Sequence, residues 1–192
     1  MSLSLKIATS AAVFALAVPA FAAEATTATQ APASPGKIGF KAQNKGFKAD
    51  GQFKVWKFTK VDIPGGDFEK GSVEIEIETA SVEANDPRLT NHLNQDDMLT
   101  VKAFPKATVK IHDAKKVGEG QYKATADVTL RGITKSLPAE FKVTGKAPLK
   151  VEGTAVLDRT DFGVYKPYDP ADDKSVEPSV QITVEATLPE KV

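Results

Sequence analysis

Few side chains in this sequence could carry acid–base or nucleophilic chemistry. There are two histidines, His92 and His112, and no cysteine. Without a thiol there is no thiolate nucleophile, no disulfide, no Cys-ligated zinc and no iron–sulfur cluster. A serine nucleophile needs a positioned base beside it, and no Gly-x-Ser-x-Gly elbow is present. His92 therefore reads as a residue that orders a helical segment by a hydrogen bond, in preference to a general base. His112 adjoins Asp113 and reads as an exposed strand end. The pairs Asp96-Asp97 and Asp172-Asp173 lack the alternating oxygen ligands of a calcium loop, so both read as solvated. No catalytic set, metal site or cofactor motif emerges. The three arginines, Arg88, Arg131 and Arg159, stand against 22 lysines. Arginine binds carboxylate or phosphate through a planar fork, so these residues have two readings, a phosphate contact or an internal ion pair.

The elements that must position these groups are strands. Val73, Ile75 and Ile77 alternate with Glu74, Glu76 and Glu78, the period-two pattern of a half-buried strand. Tyr122, Ala124, Ala126, Val128 and Leu130 repeat it, as do Phe141 with Val143 and Val180 through Leu188. Phe40, Phe47, Phe53, Val55 and Phe58 sit in two looser strands. Turn residues at Pro64-Gly65-Gly66, Gly118-Glu119-Gly120, Arg131-Gly132 and Gly145 to Pro148 separate the runs. Close spacing without long helices predicts antiparallel pairing. The one helical candidate is Asp86 to Leu99, with Pro87 suited to a first turn. A sandwich and a closed barrel both satisfy this pattern. Ala124, Ala126, Ala155 and Ala186 on apolar faces would leave room inside a barrel, or would face bulky neighbours such as Trp56.

Residues 1–22 have the form of a secretory signal peptide. Lys6 precedes an apolar run from Ile7 to Val18, and Ala20 and Ala22 supply an Ala-x-Ala cleavage site. The run is too short for the ~20 residues that span a bilayer. The expectation is a cleaved leader, a flexible Ala/Thr/Pro linker over 23–36, and one domain over 37–192. The chain of 192 residues carries 25 Lys+Arg and 25 Asp+Glu; losing the leader removes only Lys6, which leaves 24 against 25. That balance argues against nucleic acid as a partner. The mature protein is expected to be soluble, periplasmic and not stably inserted in a membrane.

Four stretches in order resemble the YceI-like family of lipocalin-like, polyisoprenoid-binding proteins. They are Glu78 to Val82; His92-Leu93 with Asp97 and then Phe104 to Thr108; Asp127 to Lys135; and Asp158 to Val164. The resemblance covers roughly residues 38–189. It implies an all-β, antiparallel eight-stranded barrel with one short helical segment, export, and in some members a long isoprenoid chain held inside. The family often places Arg-Asp before its His-Leu pair, where this chain has Leu89 and Thr90. Its Asp-Phe-Phe is Asp97-Met98-Leu99 here, which keeps apolar bulk and loses both rings.

The expected function is non-enzymatic: a barrel that sequesters or carries an isoprenoid-tailed amphiphile, either an isoprenoid quinone or a polyprenyl phosphate. The ligand-facing candidates are Phe53, Val73, Ile75, Tyr122, Ala124, Ala126, Phe141 and Ile182. His92, Arg131, Arg159, Tyr165 and Tyr168 are candidates for the mouth or a headgroup contact. The long polar connection Tyr165 to Pro178 reads as a lid or a surface loop. A second copy of the chain, giving a homodimer, is a further candidate partner. The alternatives are an envelope-stress or interaction protein with a filled barrel and no lipid, and an exported hydrolase.

Overall fold

Alternation of apolar and polar residues is realised as one continuous antiparallel ladder. The computed structural model describes residues 34–46 and 48–189. The expected signal peptide, most of the linker and Phe47 lie outside the described residues. The described residues form ten strands: β1 (Gly36–Gln43), β2 (Lys48–Phe53), β3 (Trp56–Asp62), β4 (Ser72–Glu78), β5 (Val82–Ala84), β6 (Lys106–Gly118), β7 (Gln121–Leu130), β8 (Ile133–Thr144), β9 (Lys150–Asp158) and β10 (Ser179–Thr187). They pair in the order β3-β4-β6-β7-β8-β9-β10-β1-β2-β5.

The expected number was eight strands, and the difference comes from two bends. Only Lys54 and Val55 separate β2 from β3, and only the 3-10 turn Thr79–Ser81 separates β4 from β5. Hydrogen bonds carry the ladder across the bends, from Lys54 N to Ser81 O (3.1 Å) and from Glu78 N to Val55 O (3.0 Å). Counted as bent arms, β2–β3 and β4–β5 are single strands, and eight arms result. Because β2 pairs with β1 while β3 pairs with β4, the order returns to its start. The sheet closes on itself, which removes the exposed edges that an open sheet would present.

Local chemistry explains the connections. Arg131 and Gly132 both have positive φ, 50° and 74°, as a two-residue type I′ hairpin requires. The β8–β9 ladder stops at Ala139–Ala155, where the next residue on β8 is Pro138, which has no N–H to donate. The 3-10 turn Arg159–Phe162 adjoins β8 there, and Lys135 Nζ lies 3.3 Å from Asp161 Oδ1. In β6 the pairing slips between His112 and Lys115. Asp113 takes φ 52° at this bulge, and Ala114 turns inward to 3% exposure.

Two expectations are corrected here. The helix α1 spans Pro87–Leu93 and stops short of Leu99. Asp86 caps it by accepting from Arg88 N at 2.8 Å, and residues 94–99 continue as turns. Of the span expected as a linker, the described residues 34–36 are held in place. Ser34 Oγ donates to Lys54 O at 2.6 Å, Thr187 N donates to Pro35 O at 3.0 Å, and Gly36 opens β1.

Candidate functional site

Inward-facing residues from the ladder surround an internal cavity of about 320 Å³. Its wall is almost wholly apolar. Of the eight residues proposed to face a ligand, Phe53, Val73, Ile75, Ala126, Phe141 and Ile182 line it. Tyr122 and Ala124 point to the same interior but do not reach the void. Tyr122 is instead part of an aromatic stack. The Tyr122 and Phe141 rings lie parallel at 5.1 Å, and Phe68 packs on both at 5.3 Å and 5.9 Å. Three of the four alanines proposed to leave room, Ala126, Ala155 and Ala186, are on the wall, with Ala107 and Ala139 beside them, and Ala124 is not.

The void is lined from both ends of the barrel. At one end Phe68, in the 3-10 turn Phe68–Lys70, lies across it. At the other, Leu93 of α1 and Leu99 are buried, with Leu89 and Met98 packed against their cluster. Val164 and Tyr165 complete that end. Met98 and Leu99 therefore do supply apolar bulk where the family pattern has rings.

The mouth candidates separate into different roles. Arg159 lines the cavity but is 4% exposed and is spent on backbone carbonyls. Nε donates to Glu177 O at 3.1 Å, Nη1 to Val164 O and Lys166 O at 2.8 Å each, and Nη2 to Val176 O. Four of the five guanidinium donors are used, which leaves no bidentate fork for a phosphate. Burial draws its pKa down from the ordinary arginine value. The alternative reading of this arginine, an internal ion pair, is corrected too, because its partners are backbone carbonyls. Arg131 is likewise occupied, donating to Gly163 O and to Asp96 O (3.3 Å). Both arginines fasten connections.

Tyr165 lines the cavity in a left-handed conformation, φ 62°. Its backbone N donates to Asp97 O at 2.6 Å, and its ring stands edge-on to His92 at 5.7 Å. His92 Nε2 lies 3.8 Å from Asp97 Oδ2, and this side chain is 44% exposed. His92 thus lies outside the void, against Tyr165, which lines it. Tyr168 is 41% exposed and lies over the outer groove formed by Asp158, Pro178 and Ser179. It does not reach the cavity.

His112 is not the exposed strand end expected. It lies within β6 on the outer face, its ring between Asp113 Oδ2 (2.8 Å) and Asp127 Oδ2 (3.0 Å). Ser136 Oγ donates to Asp127 Oδ1 at 2.6 Å. That bond and the imidazole hold the Asp127 carboxyl below the usual carboxylate range. The serine here bonds to the aspartate and not to the imidazole, so the histidine is not placed to activate it. Among the described residues no three His, Asp or Glu side chains converge on a metal position.

Sequence reasoning missed Phe68 and Thr79. Phe68 stands alone between Asp67 and Glu69 in a polar connection, and that lone aromatic was the available signal. Thr79 is fully buried, and its hydroxyl donates to Phe104 O at 2.7 Å. Nothing in the periodicity marks it.

Comparison with known proteins agrees with this architecture. The UPF0312 protein of Ectopseudomonas mendocina is 32% identical over 142 residues, covering 70% of this chain and 74% of that protein. The UPF0312 protein of Pseudomonas savastanoi is 30% identical over 138 residues, covering 68% and 71%. Among solved structures, Burkholderia cenocepacia BcnA superposes with a TM-score of 0.71 at 20% identity, covering 80% of this chain and 96% of that one. A polyisoprenoid binding domain from Saccharophagus degradans gives 0.57 at 11% identity, covering 82% and 97%. Residues 30–188 match the YceI-like domain model, and with that span, which takes in every strand of the closed sheet, the chain belongs to the YceI-like family.

Proposed function

We propose that this protein is an exported, non-catalytic barrel that holds the tail of an isoprenoid lipid, an isoprenoid quinone or a polyprenyl phosphate. The observation that carries the reading is the apolar cavity of about 320 Å³ inside a closed sheet. A filled barrel would have no such space. The structural relative described as a polyisoprenoid binding domain supports the same ligand class. The leader over residues 1–22 supports export to the periplasm. No helix among the described residues is long and apolar enough to cross a membrane.

The mechanism is burial. A cavity of ~150 Å³ accepts one benzene, so about 320 Å³ takes roughly two isoprene units. Each buried CH₂ contributes ~0.8 kcal/mol, so ten carbons contribute ~8 kcal/mol. Association costs of ~4 kcal/mol or more reduce that to roughly millimolar binding. Tighter binding requires further units to be buried as side chains around the void give way. Tail length is therefore the variable that sets affinity. With Arg131 and Arg159 both engaged with carbonyls, the headgroup contributes little.

The test is solvent extraction of protein purified from its native source, followed by mass spectrometry. About one prenyl lipid per chain is expected. A quinone and a polyprenyl phosphate of equal tail length should bind alike, and short tails should bind more weakly than long ones. Affinity flat with tail length but steep with headgroup charge or salt refutes burial. His92→Ala should leave uptake unchanged; a hydrolytic activity lost in that variant would favour the hydrolase.

A further inference from the structure

Resting on the reading of the barrel as a prenyl-tail carrier, we infer that Phe68 is the stop that sets the longest tail the cavity can take. Three observations converge. Phe68 is 8% exposed and lines the void, although it belongs to no strand of the barrel. It comes from the connection between β3 and β4, where Pro64, Gly65 (φ 61°) and Gly66 (φ 77°) turn the chain across the barrel end. Its ring packs on Tyr122 and Phe141 at 5.3 Å and 5.9 Å, completing a three-ring floor.

That floor explains why Tyr122 faces inward yet does not border the void. The other two rings are fixed by strand register, Tyr122 being paired directly with Phe141. Phe68 alone is delivered by a short turn. The turn is held from outside the apolar interior. Asp67 accepts from Glu69 N at 3.0 Å, Lys70 Nζ lies 3.0 Å from Asp67 Oδ2, and Glu69 Oε1 accepts from Lys116 N at 3.1 Å. These polar ties hold the backbone of the turn whatever the size of the side chain at position 68. Trimming the ring therefore removes the stop and leaves the ladder untouched. A tail entering from the end that carries α1 and Tyr165 would run toward this floor and finish against it.

The experiment measures affinity for a series of prenyl alcohols, from geraniol through farnesol and geranylgeraniol to solanesol. The proteins are the wild type, Phe68→Ala and Phe68→Leu. In the wild type, affinity is expected to rise with length and then level off. In Phe68→Ala the plateau should move outward by at least one isoprene unit, and an alcohol of that length should bind at least tenfold tighter than to the wild type. Phe68→Leu keeps apolar contact with Tyr122 and Phe141, so it carries the test if the alanine variant does not fold. Its plateau should lie between the other two, with geraniol affinity unchanged within about threefold. A plateau at the same length in folded wild type and Phe68→Leu overturns the stop while leaving the carrier reading intact. Failure of the wild type to bind any alcohol of the series overturns the carrier reading, and the stop with it.

Discussion

Arg159 shows how a residue type can point to one role and its surroundings assign another. A guanidinium at the edge of an apolar cavity suits a lipid phosphate, yet here it gathers the carbonyls of Val164, Lys166, Val176 and Glu177. It folds the 163–178 connection against the barrel. Lysine keeps the charge but cannot reach four carbonyls with three donors. Arg159→Lys should lower stability by ~2 kcal/mol, the scale of buried polar groups left unsatisfied. The denaturant midpoint and limited proteolysis within 163–178 check this. An unchanged midpoint combined with loss of lipid uptake would return the residue to a headgroup role. The neighbouring Asp158 caps the 3-10 turn by accepting from Thr160 Oγ1 (2.5 Å) and Thr160 N (2.8 Å). The Thr160 hydroxyl above all holds this carboxyl below the usual carboxylate range. A folded-state pKa below the unfolded value stabilises above the unfolded pKa, and the gain is lost as pH falls through the folded one. Asp158→Ala should therefore cost ~1 kcal/mol at neutral pH. The difference should shrink as the pH drops below about 4. Urea unfolding at pH 7 and pH 3 decides it; an equal gap at both would show that the carboxylate charge plays no part.

At the scale of elements, the two bends decide how the barrel closes. Thr79 sits at the corner between β4 and β5, fully buried, with its hydroxyl on Phe104 O and its backbone N on Pro105 O at 3.0 Å. It thereby ties the bent arm to the segment that leads into β6. Thr79→Val preserves shape and leaves the Phe104 carbonyl without its donor. The expected loss is ~1–3 kcal/mol, read as a lower melting temperature. Serine keeps the hydroxyl, so Thr79→Ser should recover most of the loss. A valine variant as stable as the wild type would mean that the corner is held by packing alone.

For the molecule as a whole, the question is where spare volume lies. Ala126 is 2% exposed and borders the void. A phenylalanine there can turn into empty space, so Ala126→Phe should abolish prenyl-lipid uptake with little change in melting temperature. Ala124 faces the packed interior away from the void. Ala124→Phe should instead show the ~1–3 kcal/mol cost of overpacking. Thermal unfolding of both ligand-free variants, alongside lipid binding, separates the two sites. If both lose the same stability, the interior is uniformly filled and the carrier reading fails.

The strands themselves were legible in the residue pattern. Period-two alternation places Val73, Ile75 and Ile77 inward and the three glutamates outward, and the same holds for β7 and β10. That information is local, because side-chain direction alternates along any extended chain. The glycine turns were legible for the same reason, since a positive φ is a demand on one or two residues. Ala126, Phe141 and Ile182 could be named as inward-facing from that alternation alone, but bordering a void is a property of depth and neighbours. Tyr122 shares their face and is covered by Phe68, whose position depends on a turn more than fifty residues earlier in the chain. The roles of Arg131 and Arg159 depended on carbonyls that only the folded connections bring together. The sequence alone thus determined which faces are apolar and where the chain reverses. Tertiary structure decided which of those faces enclose space and which polar groups are left free, because both depend on contacts between segments distant along the chain.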